Sequence, residues 1–284
     1  MIIKDVLEKS IKILEKNDID EASLKAKILL ARTLAVKKEY LFIYKDKDIE
    51  EKVVNNFFED IYKLASNIPL QYITGEQEFM GIKFKVNENV LIPRCDTEIL
   101  VEEAIKYIDK NSRVLDICTG SGAIPISIAK HSSVRNISGI DISEKALEIA
   151  KMNAKSNDVN VKFFFSNMFE NVEGKFNVIV SNPPYIESET ILGLTKDVQN
   201  EPMLALDGGI DGLDFYRIIA QNVDKYLEKN GVLLLEIGYN QRDTVTKLFE
   251  SKFEKIECIK DLGGNDRVLV IFNNWNLFDI WYNK

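Results

Sequence analysis

Between Arg113 and Phe272 short apolar segments alternate with amphipathic ones, and few folds accommodate that alternation. The apolar segments are Arg113–Ile117, Asn136–Ile142, Val161–Phe165, Asn177–Ser181, Val232–Ile237, Lys255–Ile259 and Arg267–Phe272. The spacing between them predicts helices over about 124–130, 144–156, 212–229 and 241–251. Strands apolar on both faces and joined by helices imply an α/β fold, a mostly parallel seven-stranded sheet covered on both sides. Lys260–Asp266 is too short for a helical crossover, so the last strand is expected to run antiparallel to the one before it.

Residues 1–67 follow a different period. Ile3, Leu7, Ile11 and Leu14 recur at helical spacing, as do Leu24, Ile28, Ala31 and Leu34, and then Ile49, Val53, Phe57, Ile61 and Leu64. Three such stripes predict a small helical bundle that carries no chemistry. In residues 68–93, Ile82, Phe84 and Val86 alternate with Lys83 and Lys85. Asn87-Glu88-Asn89 then offers a turn before Val90-Leu91-Ile92, which predicts a β-hairpin linker. A helix capped by Asp96 should open the larger domain, residues 94–284.

Composition removes several kinds of chemistry. The three cysteines, Cys95, Cys118 and Cys258, are odd in number and far apart, which suits a reducing compartment and neither a disulfide framework nor a metal site. His131 is the only histidine, so histidine-based hydrolysis and zinc chemistry have almost no material. No apolar run approaches about 18 residues, and the N-terminus is amphipathic rather than a leader, so a cytoplasmic protein with no membrane contact is expected. Residues 1–70 hold 13 basic and 13 acidic side chains, which leaves the whole net charge of −8 to the remainder. An acidic α/β half weighs against a nucleic-acid substrate, whose phosphates call for positive charge.

Three motifs carry the chemistry. Val114-Leu115-Asp116-Ile117-Cys118-Thr119-Gly120-Ser121-Gly122 runs a buried strand into a glycine turn that opens a helix, where backbone N–H groups can face a ligand. It lacks the third glycine of a dinucleotide fingerprint and the lysine of a P-loop; a plain tight turn is the alternative. Asp141, 25 residues after Asp116, ends the next strand, where a carboxylate can accept both hydroxyls of a ribose or simply cap the helix after Ser143. Ser181-Asn182-Pro183-Pro184-Tyr185 ends the fourth strand. Its prolines stiffen the turn and leave carbonyls free to accept, while Asn182 adds a polar side chain and Tyr185 a flat face.

Together these motifs resemble class I methyltransferases that act on planar amide or amine nitrogens. Further segments narrow the resemblance: Pro69-Leu70-Gln71-Tyr72-Ile73-Thr74-Gly75, Leu91-Ile92-Pro93-Arg94-Cys95-Asp96-Thr97-Glu98, Asn200-Glu201-Pro202, Ala205-Leu206-Asp207-Gly208-Gly209 and Gly264-Asn265-Asp266-Arg267. Across roughly residues 68–272 the chain resembles the release-factor glutamine methyltransferases, the HemK/PrmC family. The resemblance implies a Rossmann-like sheet and S-adenosylmethionine bound by Asp116, Cys118, Thr119, Gly120, Ser121, Gly122, Asp141, Asn167, Met168, Phe169 and Asn182. It implies a glutamine of a peptide chain release factor held by Asn182, Pro183, Pro184 and Tyr185, with Asn182, Pro183 and Tyr185 catalytic and no metal. The helices of residues 1–67 would then bind the release factor, and a monomer is expected.

Three positions depart from the family pattern. Cys118 replaces a glycine, Cys95 a proline, and Asn167 an acidic residue expected near the adenine amine. The implied mechanism is positional. The Asn182 side-chain oxygen and the Pro183 carbonyl each accept one amide N–H, which aims the nitrogen lone pair at the methyl, and no general base is evident. A nucleic-acid adenine methyltransferase is the nearest rival, since the same turn could grip an extruded base. It predicts a basic groove. A non-enzymatic binding protein would be expected to lose Asn182 or Tyr185.

Overall fold

In the computed structural model, which describes residues 1–273, the chain divides into two compact units. One consists of Met1–Glu76 together with Thr195–Asn200, the other of Gln77–Leu194 and the residues from Glu201 onward.

The first unit holds α1 (Ile3–Lys16), α2 (Ala22–Thr33), α3 (Lys38–Ile43), α4 (Glu51–Ala65) and α5 (Leu70–Thr74). Its core is built from Ile3, Val6, Leu14, Leu29, Leu30, Phe57 and Ile61. The expected stripe of α2 holds in part: Ala31 is buried and Ile28 and Leu34 are half-buried, but Leu24 is exposed, and Ala22, Ala26, Leu29 and Leu30 complete the inward face. Leucines occur on several sides of this helix, and the side that places three alanines inward is the one whose backbone can approach α1 and α4 closely. The short α3 has no periodic signature long enough to predict. Ile49 is buried ahead of α4, where its N–H donates to the Met1 carbonyl at 2.9 Å. The inserted segment 195–200 is fastened to this unit by Asn200, whose Nδ2 donates to the Asn67 carbonyl at 2.9 Å.

In the second unit the hairpin pairs β1 (Glu76–Phe79) with β2 (Ile82–Lys85). Its turn is Met80-Gly81, both at positive φ, the two-residue geometry that matches strand twist. The expected partner, Val90–Ile92, forms no strand. The Ile92 N–H donates instead to Glu201 Oε2 at 2.9 Å, so it is taken before a ladder can form. Asp96 does not cap α6 (Glu98–Ile105) either. A turn of 3-10 helix, Cys95–Thr97, precedes that helix, and the Asp96 carboxylate pairs with Arg267 at 3.3 Å.

The α/β core then runs β3 (Arg113–Ile117), α7 (Ala123–His131), β4 (Asn136–Asp141), α8 (Glu144–Ser156), β5 (Lys162–Phe165) and β6 (Phe176–Ser181). Two short helices, α9 (Ser188–Ile191) and α10 (Lys196–Gln199), lead to α11 (Asp214–Tyr226), β7 (Leu227–Glu236), α12 (Arg242–Phe249), β8 (Lys255–Lys260) and β9 (Asp266–Phe272). The strands lie in the order β5-β4-β3-β6-β7-β9-β8. All are parallel except β9, which runs antiparallel to both β7 and β8. α11 stops at Tyr226 and β7 begins at Leu227, earlier than the spacing suggests, because Leu227 pairs with Phe176 beside a register shift. Alternate strand residues feed two apolar layers: Val114, Val178, Leu234 and Val270 on one face, Leu115, Ile179, Leu233 and Leu269 on the other. Strand order reverses between β3 and β6, so the loops after these neighbours part there and leave a crevice at their carboxyl ends. Among the described residues no helix is long and apolar enough to cross a membrane.

Candidate active site

A cavity of about 320 Å³ opens at that crevice. Cys118 and Gly120 after β3, Asp141 at the end of β4, Asn167 and Met168 after β5, and Asn182 and Pro184 after β6 all line it. Four segments distant in sequence therefore meet where the topology requires.

The glycine turn is held by its neighbours. The Thr119 N–H donates to the Ile140 carbonyl at 2.9 Å, and the Gly120 N–H to Asp141 Oδ2 at 2.8 Å. Asp141 Oδ1 accepts the Ser143 N–H at 2.8 Å, so the carboxylate both secures the turn and opens α8, leaving a lone pair on each oxygen. Burial pushes the Asp141 carboxyl up, and its backbone hydrogen bonds partly offset this. At Gly120 the space a Cβ would enter is clear, so the backbone lies open to the cavity. Cys118 adopts a left-handed conformation, φ 62°, at a cost of about 1–2 kcal/mol for a residue with a Cβ.

The other residues of the first motif lie beneath or behind the cavity. Asp116 is fully buried and makes no well-formed hydrogen bond; burial pushes its carboxyl well up, and the nearby Thr119 hydroxyl opposes this. The Ser121 carbonyl accepts from Asn153, and Gly122 packs against Ile126, Ala150 and Phe163. Asn167 donates through Nδ2 to Glu170 at 2.9 Å, which leaves its oxygen for other partners. Met168 lines the cavity, but Phe169 turns away and stacks on Tyr226 with ring centroids 4.8 Å apart.

Asn182 Nδ2 donates to the Thr97 hydroxyl at 3.2 Å. Among the described residues nothing donates to Asn182 Oδ1 or to the Pro183 carbonyl. Pro183 and Pro184 are buried, and Tyr185 rests against the core layer that contains Tyr216. The Tyr185 hydroxyl donates to Glu236 Oε1 over a long 3.4 Å, and its carbonyl accepts from Gln241 at 3.0 Å. Burial first, then the charge of Glu236, pushes the Tyr185 hydroxyl up.

Spacing and motif reading missed Glu236 and the role of Thr97. Glu236, at the end of β7, is only 2% exposed, and burial pushes its carboxyl up to about 7. An acidic residue closing an apolar strand run is the one signal that could have marked it. Other segments singled out by motif prove to be braces. Glu201 binds the Ile92 N–H and the Arg94 guanidinium, which draws 91–94 and 201–205 together over the cavity. Asp261 accepts from Arg267 at 3.0 Å, and Arg267 reaches Asp96 at 3.3 Å.

Comparison with known proteins gives this arrangement a class. The family model described as "Methyltransferase small domain" matches residues 95–209, and "PrmC N-terminal domain" matches residues 5–75. A crystal structure of a methyltransferase from Pyrococcus furiosus shares the fold, with a TM-score of 0.52 and 19% identity over 78% of this chain and all of that one. Fold and site define a methyltransferase. Release factor glutamine methyltransferase of Clostridium acetobutylicum is 39% identical over 95% of this chain and 98% of that protein. The Fusobacterium nucleatum protein of the same name is 40% identical over 94% of this chain and 77% of that protein. The chain belongs to the release factor glutamine methyltransferase family.

Proposed function

We propose that the chain methylates the side-chain amide of the glutamine in the Gly-Gly-Gln motif of peptide chain release factors, using S-adenosylmethionine. The observation that carries this reading is the pair of unengaged acceptors, Asn182 Oδ1 and the Pro183 carbonyl, on one rigid turn beside the cavity. A primary amide presents two N–H donors in one plane, and two fixed acceptors match them.

The cavity residues suit the cofactor. Asp141 offers two lone pairs to ribose hydroxyls, Gly120 admits close approach of the backbone, and Met168 with Ile142 gives an apolar wall for a purine. The Asn167 oxygen can accept from the adenine amine. When bound, S-adenosylmethionine supplies a methyl on a positively charged sulfur. Asn182 and Pro183 turn the amide so that its nitrogen lone pair faces that methyl, and they favour the positive charge that grows on nitrogen. Tyr185 and Pro184 limit tilting of the amide plane. The roles of Asp116, Thr119, Ser121, Gly122 and Phe169 are indirect, supporting the turn and its wall from behind.

The helices of residues 1–67 bind the body of the release factor while the turn holds its glutamine. The enzyme acts as a cytoplasmic monomer without nucleic acid. Tandem mass spectrometry of release factor incubated with the chain and methyl-labelled S-adenosylmethionine tests the assignment. The label should appear on the glutamine of Gly-Gly-Gln; label on another residue, or none, contradicts it.

A further inference from the structure

An asparagine amide has two ends of nearly equal size, and only one of them serves the proposed reaction. With Oδ1 toward the substrate, Asn182 accepts an amide N–H. Flipped, it would set an NH2 against an NH2. Nδ2 lies on Thr97 Oγ1 at 3.2 Å, but a hydroxyl can donate or accept, so this contact alone does not choose between the ends. The choice depends on where the single Thr97 hydrogen goes.

Thr97 is also among the groups whose side chain favours the charged form of Glu236, a carboxyl more than nine-tenths buried, with Oε1 reached by Tyr185 and Oε2 lacking any well-formed partner. An ionised carboxylate accepts only. We propose that Thr97, with Glu236 behind it, is a positioning pair that fixes which end of the Asn182 amide faces the substrate. The carboxylate draws the Thr97 hydrogen to itself. The hydroxyl lone pair then faces Asn182 and can receive only Nδ2, which leaves Oδ1 turned outward.

The surroundings leave this part to Thr97. Tyr216 on α11 spends its hydroxyl on the Glu236 backbone carbonyl at 2.7 Å, and Arg267 on β9 is engaged by Asp261 and Asp96. Tyr185 after β6 occupies only Oε1. Thr97 itself is buried, its N–H tied to the Arg94 carbonyl at 3.1 Å in the turn before α6. Burial raises the Glu236 pKa to about 7; Thr97, Arg267 and Tyr185 favour its charged form, and Asp96 opposes it.

The proposal rests on Asn182 being the amide acceptor, so the test includes both levels. Thr97→Val, Thr97→Ser, Glu236→Gln and Asn182→Ala are compared in the full chain with S-adenosylmethionine and intact release factor. Thr97→Val should lower kcat about tenfold or more, with KM and cofactor Kd within about twofold, and Thr97→Ser should recover most of the loss. Wild-type kcat should climb with pH through about 7 as Glu236 ionises, and Glu236→Gln should flatten that rise. Thr97→Val turning over within about twofold of wild type, while Asn182→Ala is inactive, overturns the positioning pair alone. Full activity of Asn182→Ala overturns the acceptor reading beneath it. If Thr97→Val does not fold, a wild-type profile without an inflection near pH 7, or one that Glu236→Gln leaves unchanged, is equally decisive against the pair.

Discussion

Asp141 gives each carboxylate oxygen to a different backbone N–H, so its orientation is set before any ligand arrives. Hydrogen bonds to a charged acceptor are worth roughly 1.5–3 kcal/mol, so Asp141→Ala should weaken cofactor affinity about tenfold or more by calorimetry. Asp141→Asn keeps one acceptor and should fall between. Glu236 makes a second residue-level prediction, this one about stability. Its folded pKa, about 7, lies above the ordinary 4.5. A raised carboxyl favours the folded state below the ordinary value, and that contribution is lost as pH rises toward 7. Replacing it by the neutral Gln should therefore raise the melting temperature more at about pH 8 than at about pH 5. An equal change at both would show that the carboxyl is not held up by burial. Asp141 and Asn182 were legible in the sequence because each closes an apolar strand run at a motif. Glu236 closes one too, but the argument that makes it matter needs Thr97 and Tyr185 beside it, which come from segments 139 and 51 residues away.

Among elements, the loop carrying Asp207-Gly208-Gly209 and Gly212 shows why motif residues need not touch a ligand. A Cβ at Gly212 would lie 2.4 Å from the Tyr185 carbonyl oxygen, and one at Gly208 would lie 2.7 Å from Tyr185 Cα. Backbone is thus pressed directly on backbone behind the Asn182–Tyr185 turn. Asp207 secures the contact by accepting from Ser188 at 2.7 Å and from the Gly209 N–H at 2.9 Å. Gly212 also has φ +69°, so Gly212→Ala adds a left-handed penalty to the clash. A loss of roughly 2–4 kcal/mol in stability is expected, with turnover reduced in whatever folded protein remains. Denaturant titration checks it; a loss under about 0.5 kcal/mol would mean that the turn does not depend on this loop. The central sheet strands were legible because they are apolar on both faces, and the lack of a crossover in 260–266 gave the direction of the last one. The hairpin was misread for a long-range reason: 90–92 has strand composition, yet the Ile92 N–H is drawn off by Glu201, 109 residues away. The side of α2 that faces inward was likewise open until α1 and α4 were in place.

At the scale of the whole molecule, the proposed function assigns chemistry and substrate grip to different units. The helical unit carries Phe42 and Ile43 at the end of α3, 85% and 67% exposed, which its own core does not use. If this unit binds the body of the release factor, Phe42→Asp with Ile43→Asp should raise KM for intact release factor severalfold or more. Turnover at saturation, and the weaker activity on a short Gly-Gly-Gln peptide, should change little. Equal KM values for the variant and wild type would remove this surface from the interface. The sequence separated the helical stripes from the α/β alternation, but it gave no sign that 195–200 joins the helical unit, because four residues of α10 have no period to read. The account as a whole stands on Asn182 as a fixed acceptor for the substrate amide. Single-turnover methylation of release factor by Asn182→Ala, alongside its calorimetric affinity for S-adenosylmethionine, tests this most directly. Transfer should slow on the order of 100-fold or more while cofactor affinity stays within about twofold of wild type. Transfer at a near-normal rate in a variant that still binds cofactor would contradict it.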